Sequence, residues 1–520
     1  VYDKTRKVAL FVAATLSPVA ALYAAKDYSP ARWLEDDINK KVTPATGHHV
    51  DPITPRPDQK EDIAVISAAA RAGHRGFFLT SQTGTGKTPV SVIAAREAAD
   101  YRVSGRPANI LVITNRPAAI CIPDFRRTIH AVGDGGHRWL VTTVDRVHKA
   151  DELSVKWDVV VVDEAHGFRS VSTRRSKSLA KLVKATNQAK DVPFTIWMTA
   201  TPAHDPTELT YLAPLLSEVN NQKAEDWHGD GFIGSLEQNG FHIDKGRYGS
   251  QWTEDPAMRS ADVALFRSWL TNSPVPRTLY RAAPWGQAPI DVASVELDTV
   301  RFQQYNSDWA EFQNELEIAR RAGKGDKGRA AVLRWRQKAL MLRIPEVVEW
   351  AVAQLELDNQ VVIYTDFVGV GAEPITEALL EKVGVAKLFG NDYDTASEIA
   401  DFYSGSSPVA VTTMSASINL QSGAVGADGK VATTAPRVGA MAAPLYSGIK
   451  GRQVVGRTHR DGQVSPWVVM AAEDTVEDRV ARVMIERFAA SDGLAGADSS
   501  ALKAVATLLG AAWLDITDDE

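Results

Sequence analysis

The sequence predicts an α/β protein with two parallel-sheet units in tandem, and three observations predict it. Short apolar runs alternate with helical patterns from about Arg56 to Leu216, and again from about Pro345 to residue 490. Runs that are apolar on both faces and separated by helices belong to parallel strands joined by crossover helices. Each region carries its own set of such runs, so two sheets are expected. The chain's 520 residues also exceed one core, at ~100–200 residues per domain.

Residues 1–55 read as an N-terminal extension. Lys4, Arg6 and Lys7 precede an apolar run from Val8 to Ala25, the layout of an export signal. Pro18 interrupts that run, and the favoured reading is an amphipathic helix or helix pair packed on the first unit. The Pro-rich stretch Asp51–Pro57 is a linker. The first unit, 56–216, has strand candidates at Gly76–Thr80, Ile110–Thr114, Trp139–Thr143, Trp157–Val162 and Thr195–Met198. Residues 217–344 form an insertion and connector. Its first part, 217–290, is rich in Gly, Trp and polar residues; its later part, 300–343, is helical and strongly basic. The second unit, 345–490, has strand candidates at Gln360–Thr365, Val385–Phe389, Val409–Thr413 and Trp467–Ala471. Residues 491–520 are a tail with a helical stretch, Ala501–Trp513, and an acidic end.

Hydrophobic residues make up 44% of the chain and charged ones 23%, the balance of a globular protein. A single cysteine, Cys121, excludes a disulfide framework and a Cys-rich zinc site, and fits a reducing cytoplasm. His48-His49 and the other histidines lack metal-ligand spacing, so no zinc is assigned. A net charge of -6 argues against a uniformly basic surface, although the local field over a groove decides nucleic-acid binding, not the sum. Beyond the N-terminal run, nothing is long and apolar enough to span a membrane.

Two motifs carry chemistry outright. Ser81-Gln82-Thr83-Gly84-Thr85-Gly86-Lys87-Thr88 follows an apolar strand and precedes a helical run. Strand, Gly-rich turn and helix is the context of a phosphate-binding loop. Thr83, Gly84, Thr85 and Gly86 curl backbone N–H groups around phosphates, Lys87 reaches the β/γ-phosphates, and the Thr88 hydroxyl ligates Mg²⁺. Ser81 departs from the general pattern, which has Gly there. The second motif is Val159-Val160-Val161-Val162-Asp163-Glu164-Ala165-His166. A buried strand delivers two carboxylates at its C-terminal end, where open α/β sheets bind ligands. Asp163 is expected to hold Mg²⁺, and Glu164 to orient and deprotonate the attacking water.

With these two motifs the chain resembles the superfamily 2 DEAH-box helicases and translocases, from about Arg56 to about Arg487. Gln59, in Arg56-Pro57-Asp58-Gln59, sits where that superfamily reads adenine. Thr199-Ala200-Thr201-Pro202 matches the segment that couples ATP state to the nucleic-acid groove. His166 and Gln453 belong with Thr199 and Thr201 in that coupling set. Asn115, Arg116 and Thr143 fall in first-unit segments that touch the strand's backbone. Gln453-Val454-Val455-Gly456-Arg457-Thr458-His459-Arg460-Asp461-Gly462-Gln463 resembles the motif that supplies arginine fingers. Spaced by three, Arg457 and Arg460 would share one face of a helix, with Arg460 as the finger and Arg457 its partner. The connector carrying Gln304-Tyr305, Leu340-Met341-Leu342-Arg343, and Ala472–Arg479 looks like the Swi/Snf-like branch. The string Gly456–Arg460 also resembles the strawberry-notch-like helicases, and the compact size suggests a phage version.

This resemblance implies two RecA-like lobes with ATP and Mg²⁺ between them, in a monomeric cytoplasmic motor acting on DNA, duplex favoured. An RNA-directed helicase and a non-catalytic module on a helicase fold are the alternatives. The fifth motif departs from the family: Val411–Leu420 lacks the glycines, although Asn419-Leu420 fits and Thr413 keeps a strand-contacting position. Arg320, Arg321, Lys324, Lys327, Arg329, Arg334, Arg336, Lys338 and Arg343 form a basic stretch opposed in sequence only by Asp326. Such charge can neutralise phosphates, with Arg334 and Arg336 as the chosen contacts. Trp335 within it is either a base-stacking platform or core, and core is the favoured reading.

Overall fold

The computed structural model describes residues 52–495, except 116–117, 154, 171, 184–191, 228–230, 247–248, 322–324, 391–394, 414–417, 425–430, 446, 461 and 476. The expected N-terminal helices, the stretch Ala501–Trp513, Arg116 and Lys324 lie outside the described residues.

Two six-stranded sheets, parallel throughout, form the frame. The first contains β1 (Gly76–Leu79), β2 (Asn109–Thr114), β3 (Arg138–Thr143), β4 (Val159–Val162), β5 (Phe194–Met198) and β8 (Thr278–Leu279), in the order β3-β2-β4-β5-β1-β8. Helices α1 (Pro57–Arg71), α2 (Lys87–Arg102) and α3 (Ala118–Val132) supply one face. The other face is covered by α4 (Val147–Asp151), α5 (Arg174–Leu182), α6 (Ala213–Val219) and the 217–275 insertion. That insertion contains α7 (Gly231–Gln238), a hairpin of β6 (Ile243–Gly246) and β7 (Gly249–Trp252), and α8 (Pro256–Thr271). With both faces covered, a strand such as β4 is apolar at every position, and all four of its valines are fully buried.

The second sheet has the order β11-β12-β10-β13-β14-β9. Its strands are β9 (Ile290–Val295), β10 (Gln360–Tyr364), β11 (Val385–Leu388), β12 (Val409–Thr412), β13 (Arg437–Met441) and β14 (Trp467–Ala472). Helices α9 (Thr299–Arg321), α10 (Gly325–Met341), α11 (Ile344–Glu356), α12 (Glu373–Leu380), α13 (Thr395–Ser404), α14 (Gly448–Val455) and α15 (Glu477–Ala495) complete this half. These tandem sheets flanked by helices are the two RecA-like α/β units expected. Strands β8, β9 and β13 were not anticipated. No helix of the described residues is long and apolar enough to cross a membrane.

Helices α9 and α10 form an antiparallel hairpin around Tyr305, Trp309, Phe312 and Trp335. Trp335 stacks on Phe312 at 5.6 Å between ring centroids and is 3% exposed, so it is core. Five cations of the basic stretch among the described residues meet carboxylates, four of them from neighbouring elements. Arg321 pairs with Glu317, Arg334 with Glu315, Lys338 with Asp308 and Glu311, Arg336 with Asp366, and buried Arg343 with buried Glu477.

Candidate active site

The Gly-rich loop expected to bind phosphate occupies the turn between β1 and α2. Gly84 and Gly86 have φ of +87° and +85°, the left-handed region that side-chain-bearing residues avoid. Close approach adds to this requirement: a Cβ on Gly86 would sit 2.2 Å from Gln59 Nε2, and one on Gly84 2.8 Å from the Trp285 ring. Lys87 Nζ donates to Ser81 O (2.7 Å) and Gln82 O (3.0 Å). Burial pushes the Lys87 ammonium down to about 8, while Glu164 and Asp163 pull it back up. Thr85 Oγ1 donates to Gln82 O (2.8 Å), and Thr88 lies in the first turn of α2. Gln59, on α1, accepts from Arg56 N (3.0 Å) and donates to Thr85 O (3.4 Å), so it is fixed against the loop.

Asp163 and Glu164 leave the C-terminal end of β4. Thr114 Oγ1 donates to Asp163 Oδ2 (3.1 Å). Burial, reinforced by the Glu164 carboxylate, pushes Asp163 up to about 7, although Lys87 opposes this. Glu164 has φ +48°, a strained value for a non-glycine residue. Its Oε2 is buried without a hydrogen-bond partner among the described residues. His166 Nδ1 stands 3.4 Å away, but burial pushes His166 down to about 4, so the ring is neutral at pH 7.

His166 joins the two sheets. Its Nδ1 lies 3.0 Å from Thr199 Oγ1, and its Nε2 lies 3.2 Å from Gln453 Nε2 on α14. An amide nitrogen can only donate, so Nε2 accepts and Nδ1 carries the proton. Thr201 N also donates to Thr199 Oγ1 (3.1 Å). The four predicted coupling residues are thus brought together in one chain of contacts across the interface. A second tie runs from His204 Nε2 to Ser447 Oγ (3.2 Å), at the start of α14.

Both predicted arginines arrive from the second sheet. The expectation of a shared helix face is corrected: α14 ends at Val455, Arg457 lies in the following turn, and Arg460 in a short bridge to Gln463. Gly456 closes the helix where Thr83 packs against it; a Cβ there would sit 3.2 Å from Thr83 Cγ2. Arg457 donates to Gln453 O (2.9 Å) and Ile418 O (3.4 Å). Burial pushes it down to about 10, opposed by the Glu164 and Asp163 carboxylates. The Arg460 Cβ comes within 3.3 Å of the position a Cβ on Gly84 would take. Lys87, Asp163, Glu164, Arg457 and Arg460 therefore converge within electrostatic reach of one another.

The expected nucleic-acid contacts are not gathered in this way. Asn115 follows β2, Thr143 ends β3, and Thr413 follows β12. Thr143 is 2% exposed, so its side chain faces the interior. Arg334 and Arg336 sit on α10, paired with Glu315 of α9 and with Asp366 after β10, and Arg336 also lies over the Phe367 ring (5.3 Å). Trp285, against Gly84, was not anticipated; it lies in a stretch with no periodicity, and nothing local marks it.

Neither a family model nor a curated protein matches the sequence. Among solved structures, the Sulfolobus solfataricus SWI2/SNF2 ATPase core in complex with dsDNA matches at 15% identity and a TM-score of 0.33, covering 89% of this chain and 97% of its own. The Pyrococcus furiosus Hef helicase domain matches at 13% identity and a TM-score of 0.42, covering 82% of this chain and 97% of its own. At these values the fold class rests on the two sheets themselves.

Proposed function

We propose that this chain is an ATP-dependent motor of the superfamily 2 type, of Swi/Snf-like kind, that moves on DNA. The observation that carries the reading is the convergence of Arg457 and Arg460, from the second sheet, on Lys87, Asp163 and Glu164 from the first. A site divided between two sheets is complete only when they meet, so nucleotide turnover is tied to their relative movement.

The residues fit Mg²⁺ and a triphosphate. Asp163 is driven up to about 7 by burial beside Glu164, and Glu164 Oε2 is buried without a hydrogen-bond partner among the described residues. A cation would relieve both. Thr88 and Asp163 would hold Mg²⁺, which supplies charge neutralisation at the phosphate oxygens. Lys87 exchanges the carbonyls of Ser81 and Gln82 for phosphate oxygens. Glu164 orients the attacking water and takes its proton. Arg457 and Arg460 meet the charge spread over the transferring phosphoryl, which needs a permanently charged planar donor. Gln59 reads the base from its place against Thr85 and Gly86. Gln453, through His166 and Thr199, reports the acidic pair's state to the second sheet.

Steady-state ATPase assays on the wild type, Lys87→Ala and Arg460→Ala test this reading. Magnesium-dependent turnover in the wild type and its loss in both variants is expected. Wild-type turnover that survives Arg460→Ala unchanged would remove the second sheet from the reaction.

A further inference from the structure

The segment between the sheets is bound to the phosphate loop along its length. β8 pairs with β1 (Phe78↔Thr278, Leu79↔Leu279), and the chain continues beside the loop. Thr80 N donates to Leu279 O (3.0 Å) and Gln82 N to Arg281 O (3.1 Å). In return, Arg281 N donates to Ser81 Oγ (3.2 Å) and Ala283 N to Gln82 Oε1 (2.8 Å). The Arg281 guanidinium grips α1, the helix of Gln59, through Asp62 (2.6 Å) and Glu61 (3.1 Å). Beyond Trp285, the connector meets the second half of the chain: Gly286 O accepts from His459 Nε2 (3.1 Å), and Gln287 Oε1 from Arg452 (2.9 Å). It then enters β9, the edge of the second sheet.

We infer that Ser81 and Gln82 are positioning residues that lock the connector onto the phosphate loop. They make a route, separate from the arginines, by which filling of the loop is passed to the second sheet. This rests on the nucleotide reading above. The carbonyls of these two residues hold the Lys87 ammonium, and their side chains hold the connector. When phosphate draws Lys87 away, the main chain that changes partners is the main chain that carries the connector. The route also accounts for serine where a general phosphate loop has glycine: glycine offers no acceptor to Arg281 N.

The test compares wild type with Ser81→Ala, Gln82→Leu and their double variant. Binding is read with a fluorescent ATP analogue and turnover by steady-state ATPase. Closure is read by energy transfer between dyes on Tyr101→Cys and Leu380→Cys, both exposed sites. Loss of one neutral hydrogen bond corresponds to about fivefold, so the double variant should lose about tenfold or more in kcat. Its analogue binding should stay within about twofold, the pattern of an interaction made after binding. Its nucleotide-induced energy-transfer change should shrink. A double variant that closes and turns over normally overturns the inference while leaving the nucleotide reading intact. Binding lost in parallel with kcat also overturns it, because the loop is then merely damaged. Wild type that neither binds nor hydrolyses ATP overturns both.

Discussion

Gln453→Leu removes the donor that ties α14 to His166 at nearly constant volume. Gln453 is 6% exposed and His166 8%, so water replaces the lost donor poorly. His166 is neutral, with Nδ1 committed to Thr199, which leaves Nε2 an acceptor with nothing to accept. A buried polar group left unmet costs about 1–3 kcal/mol. That cost falls only on the closed arrangement, so closing should weaken by roughly 5- to 150-fold. The assay is steady-state ATPase with KM and kcat resolved. Because Gln59, Lys87 and Thr88 all belong to the first sheet, KM should change little while kcat falls about tenfold or more. Wild-type kcat in Gln453→Leu would refute the coupling chain. Loss in KM alone would place Gln453 at the nucleotide instead.

Glu164→Gln should keep ATP binding and lose turnover by about 100-fold or more, as removal of a general base does; rapid-quench measurements on a preformed complex would check this. The pH profile of kcat/KM should be bell-shaped. Asp163, raised to about 7, must lose its proton to hold the cation, so activity climbs as pH rises through about 7. Lys87, lowered to about 8, must keep its proton, so activity falls above about 8. A flat profile from pH 6 to 9 would contradict both assignments. Glu477→Leu strands the fully buried Arg343 cation. It should cost about 3–5 kcal/mol in urea unfolding, and a variant within 1 kcal/mol of wild type on that scale would show that Arg343 finds another partner.

The chemistry-bearing ends of strands were legible because two constraints coincide there. Buried parallel strands must be continuously apolar, so Val159–Val162 and Ile110–Thr114 stand out. The residues that leave them, Asp163 above all, are polar against that background. Strand β13 escaped for the opposite reason. It sits between β10 and β14, yet it begins with Arg437 and holds Gly439, whose missing side chain makes room for the Trp467 ring. Arg437 is 1% exposed and spends its donors on the carbonyls of Leu420, Ala435 and Thr433. Neither feature reads as a central strand. The ion pairing of the basic stretch was not legible because most of its carboxylate partners lie on other elements, on α9, on α15 and after β10, and charge balance between elements is invisible along one of them. The return of α15, which places Ala490 and Leu494 in the first-sheet core, is likewise a matter of packing, not of local pattern.

The measurement that tests the central claim most directly is the ATPase rate with no nucleic acid, single-stranded DNA, duplex DNA and duplex RNA, at low and moderate salt. The account predicts strong stimulation by duplex DNA that weakens as salt rises. Stimulation confined to single strands or RNA would contradict the duplex-DNA motor, and no stimulation by any of them would contradict a nucleic-acid motor altogether.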